Sequence, residues 1–203
     1  MEAWELNGHV LEFDDDTHTY ICDGIIVPSV STILKARFND YACVSRSVLE
    51  QASQRGTEMH EAIELYEATG QESELQEFRN YQFLKKHFNI KNISNEIPII
   101  YEEDGRVLFA GRLDQIIEID GKLGINDFKR VSAPNKEKIA LQVNLYKMGY
   151  EQTYKQQIKR LSFMQLREDV RRFVPLPINE DSAKELIKIY YQEQKNYGRK
   201  EDN

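Results

Sequence analysis

Hydrophobic and polar residues alternate most clearly in the middle of the chain. Two segments rich in Ile, Leu and Phe, residues 110–119 and 122–129, flank the pair Asp120-Gly121. This pair suits the two positive φ angles of a two-residue type I′ turn. The pattern therefore predicts a β-hairpin that turns at Asp120-Gly121.

A two-residue loop also sets the register of this hairpin. Ile119 then pairs with Lys122, and counting back from the turn places Asp114 directly opposite Asp127. Cβ atoms directly across an antiparallel pair lie roughly 4.5–5.5 Å apart, and like charges there are destabilising. A divalent cation would offset the repulsion, because carboxylate oxygens are natural ligands of Mg²⁺ and Mn²⁺. Strand alternation puts Lys129, two residues after Asp127, on the same face.

Two carboxylates, a lysine and room for a metal suit the cleavage of a phosphodiester. Most Asp-x-Lys triplets are instead scattered charges on a solvated hairpin face, and that alternative applies here as well. The second aspartate in register and the many Ile and Leu residues around the acids favour a site, since exposed strands seldom combine the two.

The rest of the chain shows further strand and helix periodicity. Alternation with turn residues predicts an N-terminal hairpin and three more strands: residues 9–27, 96–101, 160–166 and 171–176. Helical spacing predicts four helices, at residues 45–68 with a break near Gly56, 74–87, 136–153 and 180–197. The motif Ser182-Ala183-Lys184-Glu185 is predicted to be the capping box that opens the last helix.

Composition narrows the class of protein. A chain of 203 residues suits one domain, and 40% hydrophobic with 30% charged residues is typical of a soluble globular protein. No apolar run approaches the roughly 20 residues of a membrane span, and no signal peptide is evident, so we expect a cytoplasmic protein without membrane contact. Cys22 and Cys43 are too few for a thiolate metal site and are expected to be packing residues. The net charge of -7 argues against bulk attraction to nucleic acid but does not exclude a nuclease.

Several polar residues outside the hairpin are candidates for binding. His60 and Glu64 lie one helical turn apart on the same face, although a lone helical histidine is usually a surface or packing residue. Gln142 and Tyr146 have the same spacing, and an amide beside a phenol suits a nucleotide, although polar residues often simply border a core. The hydroxyls of Ser29 and Ser31, after Pro28, can cap a helix or bind a phosphate, and capping is the favoured interpretation.

The order of these motifs resembles that of the PD-(D/E)XK nuclease superfamily, in its RecB-type branch. The motifs cover about residues 18–146, and their combination is more specific than any one of them. The matching positions are Gly56 with His60, Gly111 with Asp114, Asp127 with Lys129, and Gln142 with Tyr146. Leu113 replaces the proline that names the superfamily, as is common in this branch. Toward the N-terminus, His18-x-Tyr20, Asp23-Gly24 and Pro28-Ser29-Val30-Ser31 are similar to the opening of phage exonucleases and of the mitochondrial genome-maintenance exonuclease.

The resemblance implies a fold, a ligand set and roles for individual residues. The fold would be α/β, with a mixed central β-sheet flanked by helices in a restriction-endonuclease-like core and a hairpin at the N-terminus. A single domain would span residues 1–203, with the hairpin at 9–34, the catalytic core at about 45–176 and the last helix at 180–197. His60, Asp114, Asp127 and the main-chain carbonyl of Phe128 would bind one or two Mg²⁺ or Mn²⁺ ions. Lys129 would orient the attacking water or stabilise the charge that develops on the phosphate, and Gln142 and Tyr146 would position the strand. Arg112 or Arg130 would hold a phosphate, and Glu64 would reach the metal through water. Ser29 and Ser31 are further candidates for binding the substrate. No iron-sulfur cluster is expected, because the four cysteines that hold one in some relatives are absent.

The function expected from the sequence is that of a metal-dependent DNA exonuclease. It would hydrolyse phosphodiester bonds in single-stranded DNA or at strand ends, in phage-type recombination or replication, in a bacterial or phage-infected cytoplasm and with a possible recombination partner protein. One alternative is a structure-selective endonuclease with the same site. Another is a non-catalytic DNA-binding or inhibitor protein, against which the intact Asp114, Asp127 and Lys129 argue.

Overall fold

The N-terminal part of the molecule is a small antiparallel sheet. The computed structural model describes the backbone of residues 1–38 and 46–201, and the side chains of 1–38 and 54–195. The four strands pair in sequence order: β1 Glu2–Leu6, β2 His9–Asp14, β3 Thr19–Cys22 and β4 Ile25–Val27. The predicted hairpin is therefore part of a larger meander, to which β1 adds a strand through a turn at Asn7-Gly8.

The central sheet has five strands in the order β5-β6-β7-β8-β9. Their bounds are β5 Lys91–Glu103, β6 Arg106–Ile119, β7 Lys122–Lys129, β8 Arg160–Leu166 and β9 Arg171–Leu176. Only the β7–β8 pair is parallel, so the sheet is mixed. The predicted α/β class is confirmed, and β5 begins five residues before the predicted strand.

Five helices complete the described fold: α1 Val30–Lys35, α2 Arg46–Thr69, α3 Gln76–His87, α4 Lys136–Tyr154 and α5 Glu180–Glu201. The predicted break near Gly56 is wrong, because α2 runs through it. A helical glycine costs only about 0.5–1 kcal/mol relative to alanine, and the buried Met59 and Ile63 hold the next turns in the core. The predicted capping box is also wrong: α5 begins at Glu180, and the Asn179 side chain accepts a hydrogen bond from the Ser182 N–H at 3.2 Å.

Helices cover both faces of the central sheet. Helices α1, α4 and α5 pack on one face, and α2 with α3 pack on the other around Phe78 and Tyr81. The N-terminal sheet packs against Ile100 and Ala110 of β5 and β6. Cys22 is buried in that third cluster, as expected for a packing residue, whereas Cys43 lies outside the described residues. No helix within the described ranges is both long enough and apolar enough to cross a membrane.

Candidate metal centre

The central hairpin has the predicted turn and register. Asp120 and Gly121 adopt φ angles of 52° and 70°, and Ile119 pairs with Lys122. Cα pairing continues to Gln115 opposite Asn126 and stops there. Asp114 and Asp127 are the next positions in the same register, so they lie where the two strands begin to separate.

The Asp114 carboxylate joins β6 to β7 just beyond the last backbone pair. Its Oδ2 accepts a hydrogen bond from the main-chain N–H of Phe128 at 2.7 Å. A charged acceptor makes this bond stronger than an ordinary strand hydrogen bond. The contact holds the Asp114 carboxylate against β7, beside Asp127, and brings the backbone of Phe128 into the same site.

Asp127 is a buried carboxylate with one oxygen that lacks a hydrogen-bond partner among the described residues. Its side chain is 1% exposed, and burial raises its pKa above the usual range. Lys129 Nζ lies 2.5 Å from Asp127 Oδ2, so the lysine shares the face of the aspartate as predicted. Apart from this ion pair, the carboxylate has no partner among the residues that the structure describes, and its Oδ1 accepts no hydrogen bond. Because a buried carboxylate oxygen without a hydrogen bond is costly, Oδ1 is suited to a cation.

His60 reaches this site from α2. Its Nε2 lies 3.9 Å from Asp114 Oδ2, and its ring packs edge-on against Phe128 with centroids 5.5 Å apart. Burial opposes the protonation of His60, but the carboxylates of Asp114 and Glu96 outweigh it and raise its pKa to about 8. His60 therefore belongs to the same site as the carboxylates of Asp114 and Asp127.

Glu96 is a member of the site that the sequence interpretation missed. Ligand atoms of His60, Glu96 and Asp114 all lie within 4.8 Å of one another. The pairs on either side, Asn95 with Gln115 and Ile97 with Leu113, place Glu96 opposite Asp114. Carboxylate oxygens are ligands of both Mg²⁺ and Mn²⁺, and an imidazole nitrogen suits a transition metal, so the donor set fits Mn²⁺ better than Mg²⁺.

The backbone at Glu96 is strained. Its φ is +49°, in the left-handed region that non-glycine residues seldom adopt. Such a conformation costs about 1–3 kcal/mol and occurs preferentially at functional sites. The strain at this strand position supports a role for Glu96 beyond packing.

Carboxylates engage both arginines that were predicted to hold phosphate. Arg112 Nε lies 2.9 Å from Glu96 Oε2, and its Nη1 lies 3.1 Å from Glu2 Oε1. Arg130 Nε lies 2.6 Å from Glu77 Oε1. A phosphate would compete with these ion pairs, which weakens the case for either arginine as a phosphate ligand.

Gln142 and Tyr146 lie on α4, which packs on the face of the central sheet opposite α2 and α3. Gln142 Nε2 donates to the Tyr146 hydroxyl at 3.4 Å, and burial raises the Tyr146 pKa well above its usual value. An ideal Cβ at Gly111 would stand 3.0 Å from Tyr146 Cε1, so glycine makes room for the ring against β6.

Ser29 caps α1, as the favoured interpretation predicted, because its Oγ accepts from the Thr32 N–H at 3.0 Å.

Two clefts are lined by residues of this site. The first, here called the acidic cleft, has a volume of about 540 Å³ and contains Glu64 beside His60 and Glu96. The second, here called the lysine cleft, has a volume of about 820 Å³, and Lys129 is one of its lining residues. The lysine cleft also contains two residues predicted to bind substrate, Ser31 and Gln142.

Comparisons with known proteins do not identify the chain. No family model matches it, and no curated protein matches it. A solved crystal structure described as that of SSO0001 is similar, with 16% sequence identity and a TM-score of 0.45, over 83% of this chain and 76% of the other. A function must therefore be inferred from the site.

Proposed function

We propose that this protein is a metal-dependent nuclease of the PD-(D/E)XK type that hydrolyses phosphodiester bonds in DNA. The observation that carries the proposal is the buried Asp127 carboxylate, whose Oδ2 pairs with Lys129 Nζ at 2.5 Å while its Oδ1 lacks a hydrogen-bond partner within the described structure. Asp114 and His60 approach the same point from two other elements. Carboxylates, an imidazole and an amine at one place suit phosphoryl chemistry better than they suit a structural core.

The residues divide into metal ligands and groups that handle the substrate. His60, Asp114, Asp127 and the Phe128 carbonyl would hold one or two Mg²⁺ or Mn²⁺ ions. When bound, such an ion activates water and stabilises charge on the phosphate and the leaving oxygen. Lys129 lies at the boundary between Asp127 and the lysine cleft, where its ammonium can orient the water or neutralise charge that develops on the phosphate.

Gln142 would position the strand from the wall of the lysine cleft. The neutral, buried Tyr146 hydroxyl fixes the Gln142 amide, because it accepts from Nε2. The likeness of the N-terminal motifs to phage exonucleases favours action on single strands or strand ends, in recombination or replication. A recombination partner protein and a cytoplasmic location belong to the same proposal.

The decisive experiment compares linear and circular DNA. An end-labelled single strand and a covalently closed single-stranded circle are incubated with Mg²⁺, with Mn²⁺ or with EDTA. We expect metal-dependent loss of the linear strand and survival of the circle. Degradation of the circle would identify an endonuclease, and DNA binding without any cleavage would identify a non-catalytic protein.

A matched pair of variants controls this experiment. Asp127→Asn keeps the shape of the side chain but removes the charge, and should abolish cleavage. Asp120→Asn makes the same change at the turn of the same hairpin, where asparagine tolerates the positive φ, and should cleave like the wild type. Equal activity of the two variants would contradict the proposed site.

A further inference from the structure

The lysine cleft differs sharply in charge from the acidic cleft. Within the described lining of the lysine cleft, every charged side chain is a lysine: Lys35, Lys129 and Lys138. The acidic cleft instead contains four glutamates with one arginine and His60. In a chain with a net charge of -7, this concentration of ammonium groups creates a local field that attracts anions.

The core of the protein sets the positions of the two outer lysines. Lys35 ends α1 and is exposed, whereas Lys138 lies half-buried in the first turn of α4. The two helices pack against each other, and Ile33 and Ile139 are buried in the same cluster. Both lysines are therefore attached to rigid elements, and the cleft between them is part of the fold.

The remaining lining suits a nucleotide. Ser31, Asn135 and Gln142 supply hydroxyl and amide groups, and Phe38 with the 40%-exposed Val131 supplies apolar surface. Phosphates are contacted chiefly by lysines, arginines and such polar groups, while bases and sugars can cover apolar side chains. The cleft thus offers separate surfaces to the two parts of a nucleotide.

We propose that the lysine cleft binds the substrate strand, with Lys35 and Lys138 contacting backbone phosphates beside the one that is cleaved. This inference rests on the proposed nuclease function, because Lys129 joins the cleft to the carboxylate site. It assigns phosphate binding to two lysines of this cleft.

The test is the salt dependence of DNA binding. A fluorescein-labelled oligothymidylate is titrated with protein by fluorescence anisotropy at several NaCl concentrations, with Ca²⁺ in place of Mg²⁺, and gel electrophoresis verifies that the strand stays intact. Each phosphate contact on a single strand contributes about 0.7 to the slope of log K against log salt, so Lys35→Gln/Lys138→Gln should reduce the slope by about 1.4. Its affinity at low salt should fall as well.

The control variant changes two lysines at the far ends of β7 and α4, the elements whose near ends carry Lys129 and Lys138. Lys122 lies at the other end of β7, about 23 Å from Lys129. Lys155 caps the other end of α4, about 25 Å from Lys138. Lys122→Gln/Lys155→Gln should keep the wild-type slope.

The outcomes separate this inference from the proposed function. An unchanged slope in Lys35→Gln/Lys138→Gln, an equal loss in the control variant, or no binding by the wild type would overturn the assignment of the cleft. If the wild type cleaves DNA but the slope is unchanged, only the cleft assignment fails. If the slope falls as expected but no metal supports cleavage, only the nuclease proposal fails.

Discussion

The Arg112 guanidinium Nε lies 2.9 Å from Oε2 of Glu96. This contact leaves the other carboxylate oxygen, Oε1, facing His60 Nδ1 at 3.9 Å, while His60 Nε2 faces Asp114. A histidine that binds a metal through one nitrogen commonly donates the N–H of the other to a carboxylate, which fixes the tautomer and the ring orientation. Arg112 therefore holds Glu96 where it can orient His60 toward Asp114.

Loss of the Glu96 carboxylate should weaken metal binding. We expect Glu96→Ala to lower the Mn²⁺ affinity about 10–100-fold, the usual effect of removing such a partner. Glu96→Gln retains an acceptor oxygen and should lose less. Calorimetric titration with Mn²⁺ measures both, and Glu103→Ala, about 23 Å further along β5, is the control. Wild-type affinity in Glu96→Ala would show that Glu96 does not orient His60.

Metal should stabilise the wild type and not a variant that lacks Asp127. Asp127→Ala removes a buried carboxylate beside Asp114, and Lys129, which is 22% exposed, can turn its ammonium to solvent, so the metal-free fold should stay intact. Mn²⁺ at about 100 times its dissociation constant should stabilise the wild type by about 2.7 kcal/mol, or about 5–10 °C in Tm. Thermal melts with Mn²⁺ and with EDTA provide the measurement. A wild-type Tm that saturating Mn²⁺ does not move would contradict the metal site.

A histidine between the two sheets should make stability depend on pH. His9 Nδ1 lies 2.6 Å from Asp23 Oδ2, and its Nε2 lies 2.9 Å from Glu102 Oε2 of β5. Hydrogen bonds to Asp23 and Glu102 raise the pKa of His9 from its ordinary 6.5. A raised pKa means that the folded state binds the proton more tightly, so this stabilisation is complete below pH 6.5 and is lost as the pH rises through the raised value.

The His9→Gln variant tests this dependence. Because the pair is partly exposed, we expect the histidine to contribute at most about 1 kcal/mol, or about 2–4 °C in Tm. The difference in Tm between wild type and His9→Gln should be largest near pH 6 and should shrink by pH 9. A difference that is the same at both pH values would show that the charge on His9 does not matter.

Local chemistry explains why the central hairpin was predictable and Glu96 was not. Asp120-Gly121 sets the β6–β7 register within a few residues of the turn, so Asp114 and Asp127 could be matched by counting. The same counting fails for the β5–β6 pair. Glu103 pairs with Arg106 beside the turn, but a bulge at residues 101–102 shifts the register by one residue. Without the bulge Glu96 would pair with residue 113 instead of Asp114. Its side chain would then lie on the face of the sheet opposite to that of Asp114. Bulges depend on packing across the whole sheet, which the sequence pattern does not reveal.

The two motif glycines should respond oppositely to alanine. A Cβ at Gly111 would stand 3.0 Å from Tyr146 Cε1 and 3.1 Å from Val30 Cγ2, both in the core, so Gly111→Ala should destabilise the protein by about 1–3 kcal/mol. A Cβ at Gly56 would meet nothing within 4 Å, so Gly56→Ala should stabilise α2 by about 0.5–1 kcal/mol. Urea unfolding of both variants gives the two free energies. Equal stability of the two would show that Gly111 is not required for the packing of Tyr146 on β6.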